Sequence, residues 1–249
     1  MSAWDDIADR TRLVGDRFAV VLLSGGMDST ACLYLAAECY PRDRIAAIVV
    51  DYGQPHAQCE IPIAQREAAR LGIRVERLCI ADAMRAMRAA ERMANAPHGQ
   101  TGAHPATVPA RNLVLTSLAC AHGCAWSTLP VDVWIGACAD DVGGFVDCHP
   151  DFFAQTTIAL TYGAGRSARV VAPLLRTTKR ALIEAARARP DALAAIRRSW
   201  SCYRGGDVPC GECTPCVLRA DAFDAAGITD APETIEPFGG DPAREIGRH

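Results

Sequence analysis

One stretch of the sequence combines small, hydroxyl-bearing and acidic residues in a pattern that suits phosphate binding. It runs through Leu23, Ser24, Gly25, Gly26, Met27, Asp28, Ser29 and Thr30. Two adjacent glycines let a backbone approach an anion closely, and free N–H groups at the start of a following helix can hold it. The hydroxyl groups add donors, whereas Asp28 would repel phosphate unless a Mg²⁺ ion lay between them. The pattern predicts a phosphate-binding loop, and a strand–helix corner capped by Asp28 is the structural alternative. It is not a Walker loop, because the Gly-Lys-Ser/Thr sequence is absent.

Four cysteines form a second group whose spacing suits a metal: Cys202, Cys210, Cys213 and Cys216. Two residues separate Cys210 from Cys213, and two separate Cys213 from Cys216. Such spacing lets the thiolates converge on tight turns around a tetrahedral Zn²⁺ ion. Four thiolates would fill the coordination sphere. We therefore expect a structural site without a position for a reactive water. An iron–sulfur cluster also takes four cysteines and is the alternative.

The composition is that of a globular protein without a nucleic-acid surface or a membrane segment. The chain has 249 residues, of which 50% are hydrophobic and 22% charged, and a net charge of −3. No dense Lys/Arg run supplies the basic surface that binds a phosphate backbone, so we expect no direct nucleic-acid partner. No apolar run approaches the roughly 20 residues that span a bilayer, and the first residues lack a secretory pattern. We expect a cytoplasmic protein whose 12 cysteines do not form disulfides.

Apolar runs alternate with helical patterns along the chain and predict an α/β fold. Strands are predicted at 18–23, 45–50, 75–80, 131–137 and 169–172; helices at 28–40, 62–71, 82–95, 112–124, 151–160 and 179–187; and a long loop at 96–109. Continuous apolar strands separated by helices favour a doubly wound, mostly parallel sheet with helices on its faces. The predicted organisation is an N-terminal arm or short helix at 1–17, an α/β domain at 18–190, a small zinc-binding segment at 191–230 and a loose tail at 231–249.

The phosphate-loop pattern resembles the Ser-Gly-Gly-x-Asp-Ser loop of the N-type ATP pyrophosphatases, which adenylate an oxygen of their substrates. Further stretches extend the resemblance to the 7-cyano-7-deazaguanine synthases. They are Asp51-Tyr52-Gly53-Gln54 with His56 and Glu60, Val108-Pro109-Ala110-Arg111-Asn112, Gly136 through Asp147-Cys148, Pro173-Leu174 with Lys179, and Ser201-Cys202-Tyr203 with the cysteines that follow. The resemblance implies an α/β fold of the adenine nucleotide alpha hydrolase type.

Members of that family convert 7-carboxy-7-deazaguanine, ammonia and ATP into 7-cyano-7-deazaguanine. Adenylation makes the carboxylate oxygen a leaving group, ammonia then gives an amide, and a second activation of the amide oxygen gives the nitrile. The resemblance therefore implies an ATP-dependent carbon–nitrogen ligase that uses Mg²⁺ and Zn²⁺, forms a homodimer and serves the biosynthesis of queuosine or a related 7-deazapurine.

The resemblance also implies roles for individual nucleotide-binding and catalytic residues. The loop from Leu23 to Thr30, with Arg111 and Asn112, is expected to bind ATP, and Asp28 and Lys179 are expected to be catalytic. Lys179 would meet phosphate or the charge that develops on the carboxylate. A solvated lysine and an ordinary helix start at Arg111 and Asn112 are the structural alternatives.

Three further residues are expected to bind the acid substrate. The resemblance suggests Asp141 as a Mg²⁺ ligand, Asp147 as an acceptor for the guanine-like edge and Cys148 as a wall of the pocket. His56 could move protons during attack by ammonia, and a structural histidine beside Tyr52 is the alternative.

Some positions depart from the family pattern, and other functions stay open for this reason. Phe145-Val146 stands where the family usually has Tyr-Pro, His149 where it often has Arg, and Ala110 where it has Gly. One alternative is a divergent relative that adenylates a similar acid and then stops at the amide or passes the acyl group to another amine. Another is a tRNA-modifying or thiolating ATP pyrophosphatase, which would need a basic surface or sulfur-transfer cysteines in the site. The last is a non-enzymatic zinc-ribbon binding module, which would not need the loop from Ser24 to Thr30.

Overall fold

The structure, a computed structural model, describes residues 2–11, 15–85 and 108–230. Most of the helix predicted at 82–95, most of the loop predicted at 96–109 and the tail predicted at 231–249 lie outside these residues. Within them, no helix is long and apolar enough to cross a membrane.

Parallel strands form a single five-stranded sheet in the described part of the chain. They are β1 (Phe18–Leu22), β2 (Ile45–Asp51), β3 (Arg74–Cys79), β4 (Val131–Trp134) and β5 (Ala168–Val171). The strand order is β3-β2-β1-β4-β5, and each neighbouring pair is parallel. The chain thus builds outward from β1 on one side and then crosses to β4 on the other. In open α/β sheets, ligands bind beyond the carboxyl ends of the strands at such a reversal.

Helices cover both faces of the sheet. They are α1 (Ala3–Asp9), α2 (Met27–Cys39), α3 (Ala57–Arg70), α4 (Arg111–Trp126), α5 (Ala139–Val142), α6 (Pro150–Ala164), α7 (Lys179–Ala186), α8 (Pro190–Arg198) and α9 (Thr214–Ala225), with short 3₁₀ helices at Arg42–Arg44 and Val146–Cys148.

Successive side chains of β1 face opposite layers of the core. Ala19 and Val21 belong to the cluster that includes α1 to α3 and α7 to α9. Val20 and Leu22 belong to the other cluster, which includes α4 and α6. A strand that is buried on both faces needs an unbroken apolar run, which explains the sequence pattern. The predicted doubly wound α/β fold is confirmed.

The N-terminal residues form a helix that is anchored in the core. Ser2 caps α1 in a reciprocal arrangement with Asp5. Trp4 is fully buried, and its indole nitrogen donates to Glu38 Oε1 at 3.0 Å. Of the two possibilities that the sequence left for this stretch, the helix is therefore the one that forms.

Two helices of the C-terminal part, α8 and α9, were not predicted. α8 is held by a buried ion pair and α9 by hydrogen bonds from a buried arginine, and the local sequence reveals neither. Arg198 on α8 lies 2.7 Å from Glu67 on α3, whose side chain is almost wholly buried. Arg219 on α9 donates to the carbonyl oxygens of Ile196, Arg197 and Ser199 at the end of α8. The division of the chain at residue 190 stays a prediction.

Candidate active site

A cavity of about 580 Å³ opens at the carboxyl ends of β1, β2 and β4. Its walls come from the predicted phosphate loop, from the residues that follow β2 and β4, from the starts of α4 and α7, and from the four-cysteine segment. The cavity therefore lies at the reversal of strand order, where a nucleotide is expected to bind.

The phosphate loop has its shape because two glycines leave room for neighbouring backbone. Gly25 has a φ of 91°, and a Cβ atom built there would overlap the carbonyl oxygen of Glu60 on α3. Gly136, just after β4, is equally constrained: a Cβ atom would lie 2.6 Å from the backbone nitrogen of Ser29. Only glycine fits such positions, so the start of α2 is enclosed between the α3 backbone and the chain that leaves β4.

Hydroxyl groups close the loop into a tight turn. The Ser24 and Ser29 hydroxyl oxygens lie 2.9 Å apart, and the Gly26 N–H donates to Ser24 Oγ at 3.1 Å. Gly26 is the N-cap of α2, so the first turn of the helix begins at the cavity wall. Thr30 Oγ1 is buried without a hydrogen-bond partner among the described residues. The loop therefore has the donors and the helix N-terminus that an anion requires.

A lysine and two carboxylates meet beside the loop. Lys179 Nζ lies 3.0 Å from Asp28 Oδ2 and 3.7 Å from Asp141 Oδ1, and it donates to Cys138 Sγ at 2.9 Å. Lys179 is the first residue of α7. Its backbone N–H donates to Asp140 Oδ2 at 2.7 Å, which holds the start of the helix beside the cavity. Asp28 and Lys179 are 151 residues apart in the chain, so only the fold brings them together.

Burial and mutual attraction set the charges of this cluster. Burial raises the pKa of Asp28, and the Lys179 ammonium acts in the opposite direction. Burial opposes the charge of Lys179, but the carboxylates of Asp28 and Asp141 outweigh it and raise the pKa of the lysine. Lys179 is therefore a permanent cation at the cavity wall.

The same cluster has the donor set of a cation site. Asp28, Cys138 and Asp141 each offer an atom, and these atoms lie within 4.8 Å of one another. Asp28 Oδ1 is buried and has no hydrogen-bond partner among the described residues. The two carboxylates suit a hard cation, whereas a thiol does not, and burial raises the Cys138 pKa. A divalent ion bound there would contact the carboxylates.

The four predicted cysteine ligands converge in space. Their sulfur atoms lie within 4.8 Å of one another, and Cys213 Sγ lies 3.4 Å from Cys216 Sγ. Backbone N–H groups of Glu212 and Cys213 lower the pKa of Cys210 to about 6, which favours a thiolate. The set has the donors and the closed arrangement of a structural metal site.

The cysteine segment also forms one wall of the cavity. The Trp200 N–H donates to the Gly25 carbonyl oxygen at 2.9 Å, and the Trp200 indole nitrogen donates to the Cys202 carbonyl oxygen at 2.8 Å. The ring of Tyr203 stacks on His56 with 5.5 Å between the ring centres. Sequence reasoning did not single out Trp200 or Tyr203 as site residues, although both lie within two residues of the predicted ligand Cys202.

A family model described as queuosine biosynthesis protein QueC matches residues 18–227. The chain belongs to the QueC family. Its relatives include the 7-cyano-7-deazaguanine synthase of Anaeromyxobacter sp. (strain Fw109-5), which is 39% identical over 231 residues. That alignment covers 85% of this chain and 94% of the relative. The 7-cyano-7-deazaguanine synthase of Koribacter versatilis (strain Ellin345) is 35% identical over 222 residues, with 85% of this chain and 91% of that protein covered.

Among solved structures, NMN synthetase from Francisella tularensis has a similar fold. The TM-score is 0.51 at 14% sequence identity, and the match covers 91% of this chain and 84% of that chain. At this identity the likeness supports the fold and no more. It agrees with the predicted adenine nucleotide alpha hydrolase-like fold.

Most of the predicted site residues of this QueC-family chain line the cavity. They are Leu23, Ser24, Gly26, Met27, Asp28, Ser29, Arg111, Asn112, Asp141, Cys148 and Lys179. Burial raises the pKa of Cys148 to about 12, so its thiol is a neutral wall.

Apart from the four cysteines, three of the predicted residues are not part of the lining. Gly25 and Thr30 belong to the phosphate loop but do not face the cavity, and Asp147 is 7% exposed. The Asp147 carboxylate accepts a hydrogen bond from the Asn112 N–H at 3.4 Å, at the start of α4. Its role toward the substrate stays a prediction.

Proposed function

We propose that the protein converts 7-carboxy-7-deazaguanine, ammonia and ATP into 7-cyano-7-deazaguanine through an adenylated acid and an adenylated amide. The observation that carries this proposal is the meeting of the phosphate loop with Asp28 and Lys179 in one cavity. Membership of a family whose relatives are 7-cyano-7-deazaguanine synthases supports the substrate.

The site residues divide the proposed work between binding and charge stabilisation. The loop hydroxyls and the first turn of α2 hold the ATP phosphates. Lys179 stabilises the negative charge that develops as the carboxylate oxygen attacks the α-phosphorus and pyrophosphate leaves. Arg111 and Asn112 at the start of α4 orient the nucleotide or the acid, and Cys148 excludes water from the pocket beside Asp141.

Two metals belong to the proposal. Asp28 and Asp141 would hold Mg²⁺, which supplies the positive charge that lets a carboxylate lie near phosphate. The four cysteines would hold Zn²⁺ as a structural ion, because no open position is left for chemistry. The pathway that we propose is the biosynthesis of queuosine or a related 7-deazapurine.

The remaining proposals concern the setting of the enzyme. We propose that it acts in the cytoplasm as a homodimer on small molecules, without direct contact to nucleic acid. The net charge of −3 supports the last point. Analytical ultracentrifugation of the purified protein checks the dimer, and a single monomer species at micromolar concentration would contradict it.

Mass spectrometry of a reaction with ATP, Mg²⁺, ammonium and 7-carboxy-7-deazaguanine tests the function. The expected product is the nitrile, with Asp28→Asn reducing its rate at least about 100-fold because a phosphate-site carboxylate is lost. Asp43→Asn, on an exposed surface turn, is the matched control and should retain the wild-type rate. Accumulation of the amide as the final product would instead indicate the divergent relative. The departures of this chain from the family pattern at Phe145, Val146 and His149 would then be the first positions to test.

A further inference from the structure

A histidine and a glutamate that the proposed nucleotide chemistry does not use face the same cavity. His56 Nε2 lies 3.4 Å from Glu60 Oε2, one helical turn further along α3. Both residues line the cavity, and both side chains are about nine-tenths shielded from solvent. The Glu60 carbonyl oxygen also touches Gly25, so the pair adjoins the phosphate loop.

The cysteine segment orients the histidine ring. His56 Nδ1 lies 3.3 Å from the carbonyl oxygen of Tyr203, and the two rings are stacked. A carbonyl oxygen only accepts, so in neutral histidine the hydrogen is on Nδ1 and Nε2 is left as an acceptor. That acceptor is the atom that lies beside Glu60.

Burial and charged neighbours shift the pKa values of both Glu60 and His56. Burial raises the pKa of Glu60 to about 8, while Gln54 and the Arg111 guanidinium act against the shift. Burial also lowers the pKa of His56, which Arg111 reinforces and the Tyr203 carbonyl opposes. A carboxyl with this pKa is well matched to ammonium, because proton transfer is efficient between groups of similar pKa.

The proposed reaction requires a proton acceptor at the nitrogen in both rounds. In the first round, ammonia adds to the acyl carbon, the C–O bond to AMP breaks with its electron pair, and the nitrogen loses a proton. In the second round, the amide oxygen displaces pyrophosphate from ATP and the nitrogen loses another proton. Cleavage of the C–O bond then releases AMP and a further proton and leaves the C≡N bond. Ammonium, the main form of ammonia in neutral water, must lose one proton before it attacks.

We propose that Glu60 and His56 form the nitrogen subsite of this cavity, which binds ammonium and accepts the protons that the nitrogen loses. The inference rests on the proposed function, because ammonia is its nitrogen donor. The positive charge of a bound ammonium ion favours the ionised form of Glu60, whose carboxylate then supplies the negative charge. His56 Nε2, which lies 3.4 Å from Glu60 Oε2, supplies a second acceptor. The subsite and the phosphate loop line the same cavity, so nitrogen and nucleotide can reach one substrate.

The test separates adenylation from nitrogen chemistry. Exchange of labelled pyrophosphate into ATP in the presence of 7-carboxy-7-deazaguanine needs no ammonia, whereas nitrile formation does. For Glu60→Gln we expect exchange within about twofold of wild type and nitrile formation reduced at least about 100-fold, with a higher KM for ammonium. The deficit should shrink as pH rises, since free ammonia then replaces ammonium. A residue with only a structural role would not produce this pH-dependent recovery.

The controls address folding and the surface. Glu184→Gln, on the exposed side of α7, should leave both rates unchanged. His56→Asn is the second variant, and it decides the question if Glu60→Gln does not fold, as judged by thermal melting. Nitrile formation within about threefold of wild type in the folded variants would overturn the subsite, and so would an equal loss of exchange and nitrile formation. Wild-type protein without exchange would overturn the proposed function itself and the subsite with it.

Discussion

The backbone N–H of Trp200 donates a hydrogen bond to the carbonyl oxygen of Gly25 at 2.9 Å. This contact joins the segment that carries the four cysteines to the turn that precedes α2. The Trp200 indole in turn donates to the carbonyl oxygen of Cys202, the first of the predicted metal ligands. These two hydrogen bonds link the four-cysteine segment directly to the phosphate loop.

Loss of the metal should weaken nucleotide binding as well as stability. For Cys213→Ser we expect loss of bound metal and a lower melting temperature, because metal binding is coupled to folding. We also expect weaker ATP binding, because Trp200 no longer holds Gly25. Metal analysis, thermal melting and calorimetric titration with ATP measure these effects. Cys79→Ser is the matched control at an exposed cysteine outside the cluster. A folded Cys213→Ser protein with wild-type affinity for ATP would contradict the coupling.

Gly25 should not tolerate a side chain. Gly25→Ala would place a methyl group against the Glu60 carbonyl oxygen at a φ of 91°, so we expect a loss of stability of about 1–3 kcal/mol or more and weak ATP binding. Gly72→Ala separates strain from overlap, because Gly72 has a φ of 63° and open space around a Cβ atom. It should cost only about 1–2 kcal/mol and leave ATP binding unchanged. Denaturant unfolding and nucleotide titration give both numbers, and equal effects of the two substitutions would refute the overlap.

Lys179 should be needed for chemistry more than for folding. Lys179→Met removes the cation beside Asp28 and Asp141, so the rate of nitrile formation is expected to fall at least about 100-fold. The loss also removes the charge that lowers the Asp28 pKa, so that pKa should rise further. Arg180→Met is the neighbouring control, since Arg180 is exposed and pairs only with Glu184 among the described residues. Wild-type turnover by a folded Lys179→Met protein would exclude the catalytic role.

Glu60 should make the protein less stable as pH rises from about 4.5 to about 8. Its pKa is about 8 in the folded state against an ordinary value of 4.5, so the folded state binds the proton more tightly. The corresponding stabilisation is complete below about pH 4.5 and is lost as pH rises toward 8. Glu60→Gln should abolish this loss, and about 1.4 kcal/mol of it, the equivalent of one pKa unit, should fall between pH 7 and 9. The lowered pKa of His56 makes the folded state less stable below the ordinary histidine pKa of 6.5. Urea unfolding is therefore best compared between pH 7 and 9, where His56 contributes little. Parallel profiles of the two proteins over this range would rule out the raised pKa.

Local patterns were enough to predict the strands of the sheet, the glycine- and serine-containing loop at 23–30 and the group of four cysteines. Each strand that was predicted is present. In β1 and β2 an apolar run buried on both faces carries its own pattern, whereas the edge strand β3 is only partly shielded. The strand that was predicted at 131–137 is shorter, since Ile135 to Ala137 leave the sheet to form the cavity wall. The helix predicted at 62–71 begins at Ala57 instead, because burial of Ile61 and Ala64 outweighs the helix-breaking tendency of Pro62.

The sequence by itself determined the α/β class, the glycine-containing turn between β1 and α2 that is predicted to bind phosphate, and the four-cysteine cluster, since each depends on residues that are close in the chain. Only the tertiary structure decided that Lys179 meets Asp28, that Trp200 and Tyr203 close the cavity, and that Asp147 lies behind Asn112. These contacts join residues that are far apart in the chain. Their distances depend on how helices pack on the sheet and on which buried charges find partners, and no local pattern encodes either.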